Sequence, residues 1–437
     1  MLIRENGGVR YTADGVLAAD ANGRLEWIGE FLQFSGRERK DIRPADGVIC
    51  PPFVDSHIHI PQHPIRGHFM DGVGANPDGG RLIAGLNRNV FPVEARCADS
   101  EYTQQCVSEF LRETVSKGVV GGVAYMTVHA SAARTALEIL PATWSVGLVM
   151  MNQNCPAYLR TDEANFERDA QALARDFGQR YVVTDRFAVA CDSQLRRRGV
   201  AIAAKHGLRT QTHLNEQLKE KNLVEQKLYP GQSYAGVYER DGLLDHRAIM
   251  AHCVHMKFDE LELLARKRAV IAHCPTSNTL LGSGIMPLDA VVDREIEYAI
   301  CTDVGASPTT SLLNEMAQFL KVHAGRSRNA TPSEALFRTT GDMKDGFVEL
   351  AVDAKVLARC TTADDVIGKA ILELPERQTV EMKSALDLLA TGCCDAGPHL
   401  ELLTDDVNET VRRLDDKVRR VTVGGKVVYE ASTSNPR

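Results

Sequence analysis

Short apolar, β-favouring runs recur along this chain, each separated from the next by a stretch with helical spacing. The runs predict strands at 48–59, 119–128, 144–151, 181–190, 207–213, 247–252, 268–273 and 297–303. Between them, Asp99–Lys117 places apolar or small residues at 106, 110, 111 and 115, one face of a helix. Residues 162–177, 192–206 and 258–266 read the same way. Gly118 and Gly207 stand where C-terminal caps belong. Eight strands alternating with helices predict an α/β fold, a parallel (β/α)8 barrel.

The ends of the chain follow a different rhythm. Residues 11–50 alternate in short stretches such as Leu25-Glu26-Trp27-Ile28. Near the other end, Val421 to Tyr429 reads as a hairpin turning on Gly424-Gly425. The expectation is a small composite β-sandwich from residues 1–50 and 400–437, flanking a barrel at 51–345. Residues 346–399 are expected to be a helical, linking segment.

Four polar clusters stand where strands hand over to loops. Val54-Asp55-Ser56-His57-Ile58-His59 carries two histidines spaced i and i+2, which an extended backbone points to one side. Thr212-His213-Leu214-Asn215-Glu216, Ala251-His252-Cys253 and Cys301-Thr302-Asp303 end three later runs. Catalytic groups of such barrels come from the C-terminal ends of several different strands. His57, His59, His213 and Asp303 would supply three nitrogens and one oxygen to a divalent metal, an open zinc or iron site. Such a metal lowers the pKa of a bound water to about 7. Glu216, three residues after a candidate ligand, would shuttle that water's proton, and His252 would orient the water or stabilise developing charge. Asp303 would both bind metal and hold the nucleophile. The chemistry implied is hydrolysis at an electron-poor sp² carbon. His273 and His255 are expected to be structural, and His63 and His68 to serve a loop.

Composition narrows the class. The chain has 437 residues, 44% apolar and 25% charged, with 51 basic against 58 acidic side chains for a net charge of −7. That length exceeds a typical barrel by enough for a second small domain. A mildly acidic chain offers no electrostatic footprint for nucleic acid or an anionic membrane. No apolar run approaches the roughly 18 residues of a membrane span, and the N-terminus lacks a signal-peptide apolar region. Eleven cysteines, an odd number without paired spacing, suggest reduced thiols and a cytoplasmic setting. Cys393-Cys394 carries no metal or redox reading.

With these residues in view, the chain resembles the bacterial guanine deaminases of the amidohydrolase superfamily. The likeness is carried by Val54 to Gln62, Thr212 to Glu216, Ala251 to His255, Ala272-His273-Cys274-Pro275-Thr276-Ser277-Asn278, Leu281 to Gly284, Thr302 to Ala306, and Thr184-Asp185-Arg186-Phe187. It implies a barrel plus β-sandwich, one zinc per subunit (iron(II) being an alternative), a homodimer, and hydrolysis of guanine to xanthine and ammonia. It also implies substrate contacts: Gln62 as donor and acceptor for a purine edge, Arg186 as a planar fork on a carbonyl and ring nitrogen, Phe187 stacking on the heterocycle, with His213 and Glu216 beside them.

The segment departs from the family's Leu-Glu-Trp-Leu run at 83–92, and Asp185 replaces the usual Pro. The customary Gly-Lys-x-Ala-Asp segment after residue 340 is not recognisable. These departures leave the metal set intact and bear on the substrate: a pterin, an 8-oxopurine or a triazine, aminated or halogenated, is the alternative. A non-catalytic scaffold would have no use for this complete set of polar residues. The Pro-Cys-x-x-Cys zinc signature of deaminases that act on flipped bases is absent.

Overall fold

The computed structural model describes residues 1–5, 7–19, 25–35, 44–45, 47–74, 80–343, 346–374, 414–423 and 426–431. Eight strands lie side by side in chain order: Phe53–His59, Val119–Tyr125, Trp144–Met150, Tyr181–Asp185, Thr210–Leu214, Ala248–His252, Val270–His273 and Tyr298–Ile300. Every neighbouring pair is parallel. The last strand meets the first just past its end. Asp303 N donates to His57 O at 3.0 Å, and His59 N donates to Val304 O at 2.7 Å. Helices fill the connections, so this is the (β/α)8 barrel that the alternation predicts.

Each helix starts and stops for local reasons. Asp99 accepts the N–H of Tyr102 and opens Ser100–Ser116; Asp192 accepts that of Leu195 and opens Ser193–His206. The latter stops at Gly207, whose φ of 64° is a left-handed conformation costing little without a Cβ. Inside the ring, Val123, Val182, Ile249, Ala272 and the half-buried Ala299 form one cluster from the second, fourth, sixth, seventh and eighth strands.

Two expected elements take another form. The run 48–59 is two strands in two sheets, because Pro51 and Pro52 have no N–H to give a ladder. Val48–Cys50 pairs antiparallel with Gly346–Leu350, whereas Phe53–His59 enters the barrel. Gly346–Leu350, within the segment read as linking, is an inner strand of a four-stranded antiparallel sheet completed by Val418–Val423 and Lys426–Glu430. Its Val348 and Leu350 are fully buried; its partners lie far off in sequence, so no local pattern announces the pairing. Leu2–Glu5 with Gly8–Tyr11, and Gly15–Ala19 with Leu25–Glu30, make two further hairpins. Gly424, Gly425 and Cys393-Cys394 lie outside the described residues.

The strand expected at 181–190 ends at Asp185. A turn follows, in which Ala190 N and Cys191 N both donate to Phe187 O at 2.9 and 3.0 Å. It leaves Arg186 and Phe187 at the strand's mouth rather than in the ladder.

Candidate active site

The side chains singled out in sequence converge at the C-terminal ends of the strands. Ligand atoms of His57, His213, His252 and Asp303 all lie within 4.8 Å of one another, a group able to hold a metal ion. His59 joins them: its Nε2 is 3.2 Å from His213 Nε2 and 3.3 Å from Asp303 Oδ1, while His57 Nε2 is 3.2 Å from that same oxygen. All five residues are buried. Three of the strand ends that present the site hold a non-glycine residue in the left-handed region: Asn215 at φ 52°, His252 at 72° and Asp303 at 54°. Such conformations cost on the order of 1–3 kcal/mol each and persist only where the surroundings dictate them.

The hydrogen bonds behind the rings separate the histidines by role. His213 Nδ1 lies 2.6 Å from the Arg186 carbonyl oxygen, an acceptor only. Nδ1 therefore carries the proton, and the Nε2 lone pair faces the cluster, as a ligand requires. At His252, Asn278 Nδ2 donates to Nδ1 at 3.0 Å. Its Nε2 then carries the proton and has no hydrogen-bond partner among the described residues; Glu216 Oε2 lies 3.6 Å and Asp303 Oδ2 4.0 Å away. Neither ring nitrogen of His57, nor Nδ1 of His59, has a hydrogen-bond partner, although all are buried. His57 Nε2, so orphaned and 3.2 Å from Asp303 Oδ1, fits a bound cation.

Electrostatics agree. Burial drives His59 and His252 down to about 3 and His213 well below the ordinary histidine range, so these rings are neutral. Burial would raise Asp303, but the imidazoles of His57 and His59 set against it, with His252 beyond, outweigh it and hold the carboxyl well below the usual range. Ser277 Oγ donates to its other oxygen at 2.6 Å. Glu216 behaves oppositely. Burial first, then the nearby charges of Glu220 and Asp303, push it well above the ordinary carboxyl range. Ser283 Oγ donates to its Oε1 at 3.1 Å. Two carboxyls with opposed proton affinities thus face one small volume, the arrangement that acid–base chemistry needs.

The opposite side of the pocket is built differently. Gln62, Arg186, Phe187, His213 and Glu216 line a pocket together with Phe69, Leu82, Leu86 and Leu281. Glu94, unremarked in sequence, is buried behind this wall and accepts from Gln62 Nε2 at 2.8 Å and from Arg186 Nη1 at 2.7 Å. Sequence reasoning also assigned no role to Asn278, Ser277 or Ser283, although each stands in a quoted motif. For Glu94 the only local signal is an acidic residue two positions after Phe91-Pro92.

The loop after the fifth barrel strand is tied down by a second buried network. Lys221 Nζ donates to Glu260 Oε2 at 2.7 Å and to Asn215 Oδ1 at 3.2 Å. Glu220 accepts the backbone N–H groups of Glu216 and Gln217 at 3.2 and 3.1 Å, and the hydroxyl of Tyr234 at 2.6 Å. These bonds hold Glu216 in place.

The remaining histidines fall elsewhere. His63 pairs with Glu113 at 3.0 Å, and His68 with Asp71 at the surface. His255 Nε2 lies 2.8 Å from the Ser283 carbonyl. His273, buried beyond the pocket, meets His323 at 3.1 Å rather than the backbone.

A barrel with this donor cluster at its strand ends defines a hydrolase that takes a metal ion. Residues 48–340 match the amidohydrolase family, and the chain belongs to that family. It is 31% identical to a probable guanine deaminase of Deinococcus radiodurans, covering 75% of this chain and 76% of the relative. It is 29% identical to the guanine deaminase of Escherichia coli, covering 76% of each. The fold is similar to that of a guanine deaminase from C. acetobutylicum solved with guanine in its active site, with a TM-score of 0.75 at 21% identity over 98% of both chains. Among the described residues, no helix is long and apolar enough to cross a membrane.

Proposed function

We propose that this enzyme hydrolyses guanine to xanthine and ammonia, with His57, His59, His213 and Asp303 holding one zinc ion. When bound, the cation supplies Lewis acidity that makes a water nucleophilic near neutral pH. The observation that carries the reading is the two-sided pocket. A cation-ready cluster beside a proton-affine Glu216 faces a buried Arg186 and Gln62 held by one carboxylate.

Each side chain then has a task. Glu216, ionised when the cation is bound beside it, would take a proton from the attacking water and deliver it to the ring nitrogen beside the amino-bearing carbon. A second proton passes by the same carboxyl to the departing ammonia, so the carboxylate is regenerated. Asp303, held anionic, accepts a hydrogen bond from the nucleophile. His252, with its proton on Nε2, donates toward the charge that develops between the two carboxylates. Arg186 donates from its planar fork to the lactam carbonyl and ring nitrogen, Gln62 meets the purine edge, and Phe187 packs on the ring. The similarity to guanine deaminases at 29–31% identity supports guanine over other heterocycles. The apolar cover of Phe69, Leu82 and Leu86 favours a pterin or triazine as the second reading.

The test is ammonia release by purified, metal-assayed protein given guanine, with a pterin, 8-oxoguanine and an aminotriazine alongside. Guanine-preferring turnover is the expected result. A metal-loaded protein that ignores guanine but turns over another of these keeps the chemistry and refutes the substrate.

A further inference from the structure

The structure assigns Glu94 as the residue that sets substrate specificity from behind the pocket wall, by locking Gln62 and Arg186 into one recognition edge. This rests on the guanine reading only for the choice of ligand.

Glu94 sits at the end of the helical turn Phe91–Glu94, between the first and second barrel strands, and is 1% exposed. A single oxygen, Oε1, receives both an amide N–H of Gln62 at 2.8 Å and a guanidinium N–H of Arg186 at 2.7 Å. A carboxylate is an acceptor only, so the Gln62 amide has one allowed orientation: nitrogen toward Glu94, oxygen away from it. That oxygen lies 3.4 Å from the N–H of Gly305, on the loop that follows Asp303. Arg186 is fixed as tightly. One terminal nitrogen is engaged by Glu94, and the guanidinium carbon lies 6.0 Å from the centre of the Phe91 ring. The fork's remaining N–H groups are left to the pocket it lines. Without an anion at this position a buried guanidinium would have no counter-charge, and both donors would be free to swing.

Two consequences follow for the ligand. The edge presents guanidinium donors, so it accepts a ring carbonyl and opposes an amino group at the same place. The charge of Arg186 is cancelled by Glu94, so the site takes a neutral heterocycle and does not attract anionic ones. Glu94 touches no substrate atom in this arrangement; it is a positioning residue, and its effect is on discrimination.

The experiment compares wild-type, Glu94→Gln and Glu94→Asp enzymes on guanine and on 2,6-diaminopurine, which carries an amino group in place of the carbonyl. Metal content and melting temperature are measured in parallel. For Glu94→Gln, kcat/KM on guanine is expected to fall about 100-fold, the scale of a misplaced binding group, mostly through KM. The preference for guanine over the diamine should shrink, and metal content should stay at the wild-type level. Glu94→Asp keeps the charge and should recover part of the preference. A Glu94→Gln enzyme that folds and binds metal yet keeps the wild-type KM and preference overturns the assignment. Should wild type ignore guanine, the guanine reading fails. The same variants are then compared on whichever heterocycle wild type does turn over, and an unchanged KM there still overturns Glu94. A variant that does not fold is replaced by Arg186→Gln/Glu94→Gln, which removes both charges. That double variant should lose no more than Arg186→Gln alone, and a fully additive loss also overturns the coupling.

Discussion

Replacing Glu216 with Gln removes a proton shuttle while leaving its surroundings in place. Ser283 Oγ donates to Glu216 Oε1 at 3.1 Å, and a glutamine oxygen accepts the same bond. The other atom faces His252 Nε2 at 3.6 Å, long enough for an amide nitrogen. Proton transfer by a placed side chain contributes roughly 10²–10⁴-fold; at 1.36 kcal/mol per factor of ten, the variant loses about 2.7–5.4 kcal/mol of transition-state stabilisation. Stability should move the other way. Burial, with Glu220 and Asp303, raises the folded Glu216 well above the ordinary range. In the metal-free protein the folded state therefore holds a proton that the unfolded chain has released, and stability falls as pH rises through that window. Glutamine has no such penalty. Steady-state ammonia release at neutral pH should show kcat reduced by at least about 100-fold, with full metal content by elemental analysis. With metal removed from both proteins, melting of the variant at pH 8 should occur no lower than in wild type. A kcat close to wild type for the metal-loaded variant, or a metal-free variant that melts lower than metal-free wild type at pH 8, would refute the assignment of Glu216 as a buried, proton-affine shuttle.

His59→Ala should lose metal and activity together; full occupancy in that variant removes His59 from the ligand set. Arg196, fully buried, donates to Asp185, to Asp241 at 2.6 Å and to the Cys191 carbonyl at 2.7 Å. Arg196→Met strands the Asp185 carboxylate, while Asp241 keeps Arg197 and Arg240 at 2.9 Å each; it should cost about 3–5 kcal/mol in urea unfolding, and an unchanged midpoint would mean that Asp185 is hydrated. Glu315, which accepts from Thr276 N at 3.2 Å and Ser307 Oγ at 3.0 Å, is pushed up to about 8 by burial. Its contribution to stability is present below its ordinary range near 4.5 and is lost as pH rises through about 8. Glu315→Gln should flatten that decline in a melting series from pH 5 to pH 9, and parallel curves would place the carboxyl in contact with water.

What was legible in the sequence was local. Each of the eight barrel strands has a short apolar, β-favouring run, so all eight are legible, although 48–59 and 181–190 overrun the strands Phe53–His59 and Tyr181–Asp185; the i, i+2 pair His57 and His59 follows from strand geometry. Asp303 and His213 were legible because each ends an apolar run. The rest depended on partners distant in the chain. Val48–Cys50 and Phe53–His59 read as one run until the sheets separate them, and Gly346–Leu350 is a strand because of what lies on either side of it. Glu94 is the sharpest case. A glutamate in a charged chain is ordinarily solvated, and nothing near residue 94 says that Arg186 and Gln62 will bury it. The His252 tautomer was equally invisible, since Asn278 sets it from the short helix Pro275–Leu280 after the next strand.

The bonds that join the ends of the eighth and first strands come from His57, His59, Asp303 and Val304, three of which also present their side chains to the cluster. A breathing motion that parts this seam also parts His57 and His59 from Asp303. Structural integrity and catalytic readiness are then the same motion seen twice, and a cation held as proposed would span the seam as a clasp. By mass action, its free concentration sets how often the ring opens. The amide protons of His59 and Asp303 should exchange more slowly as metal is added, whether or not any substrate is present.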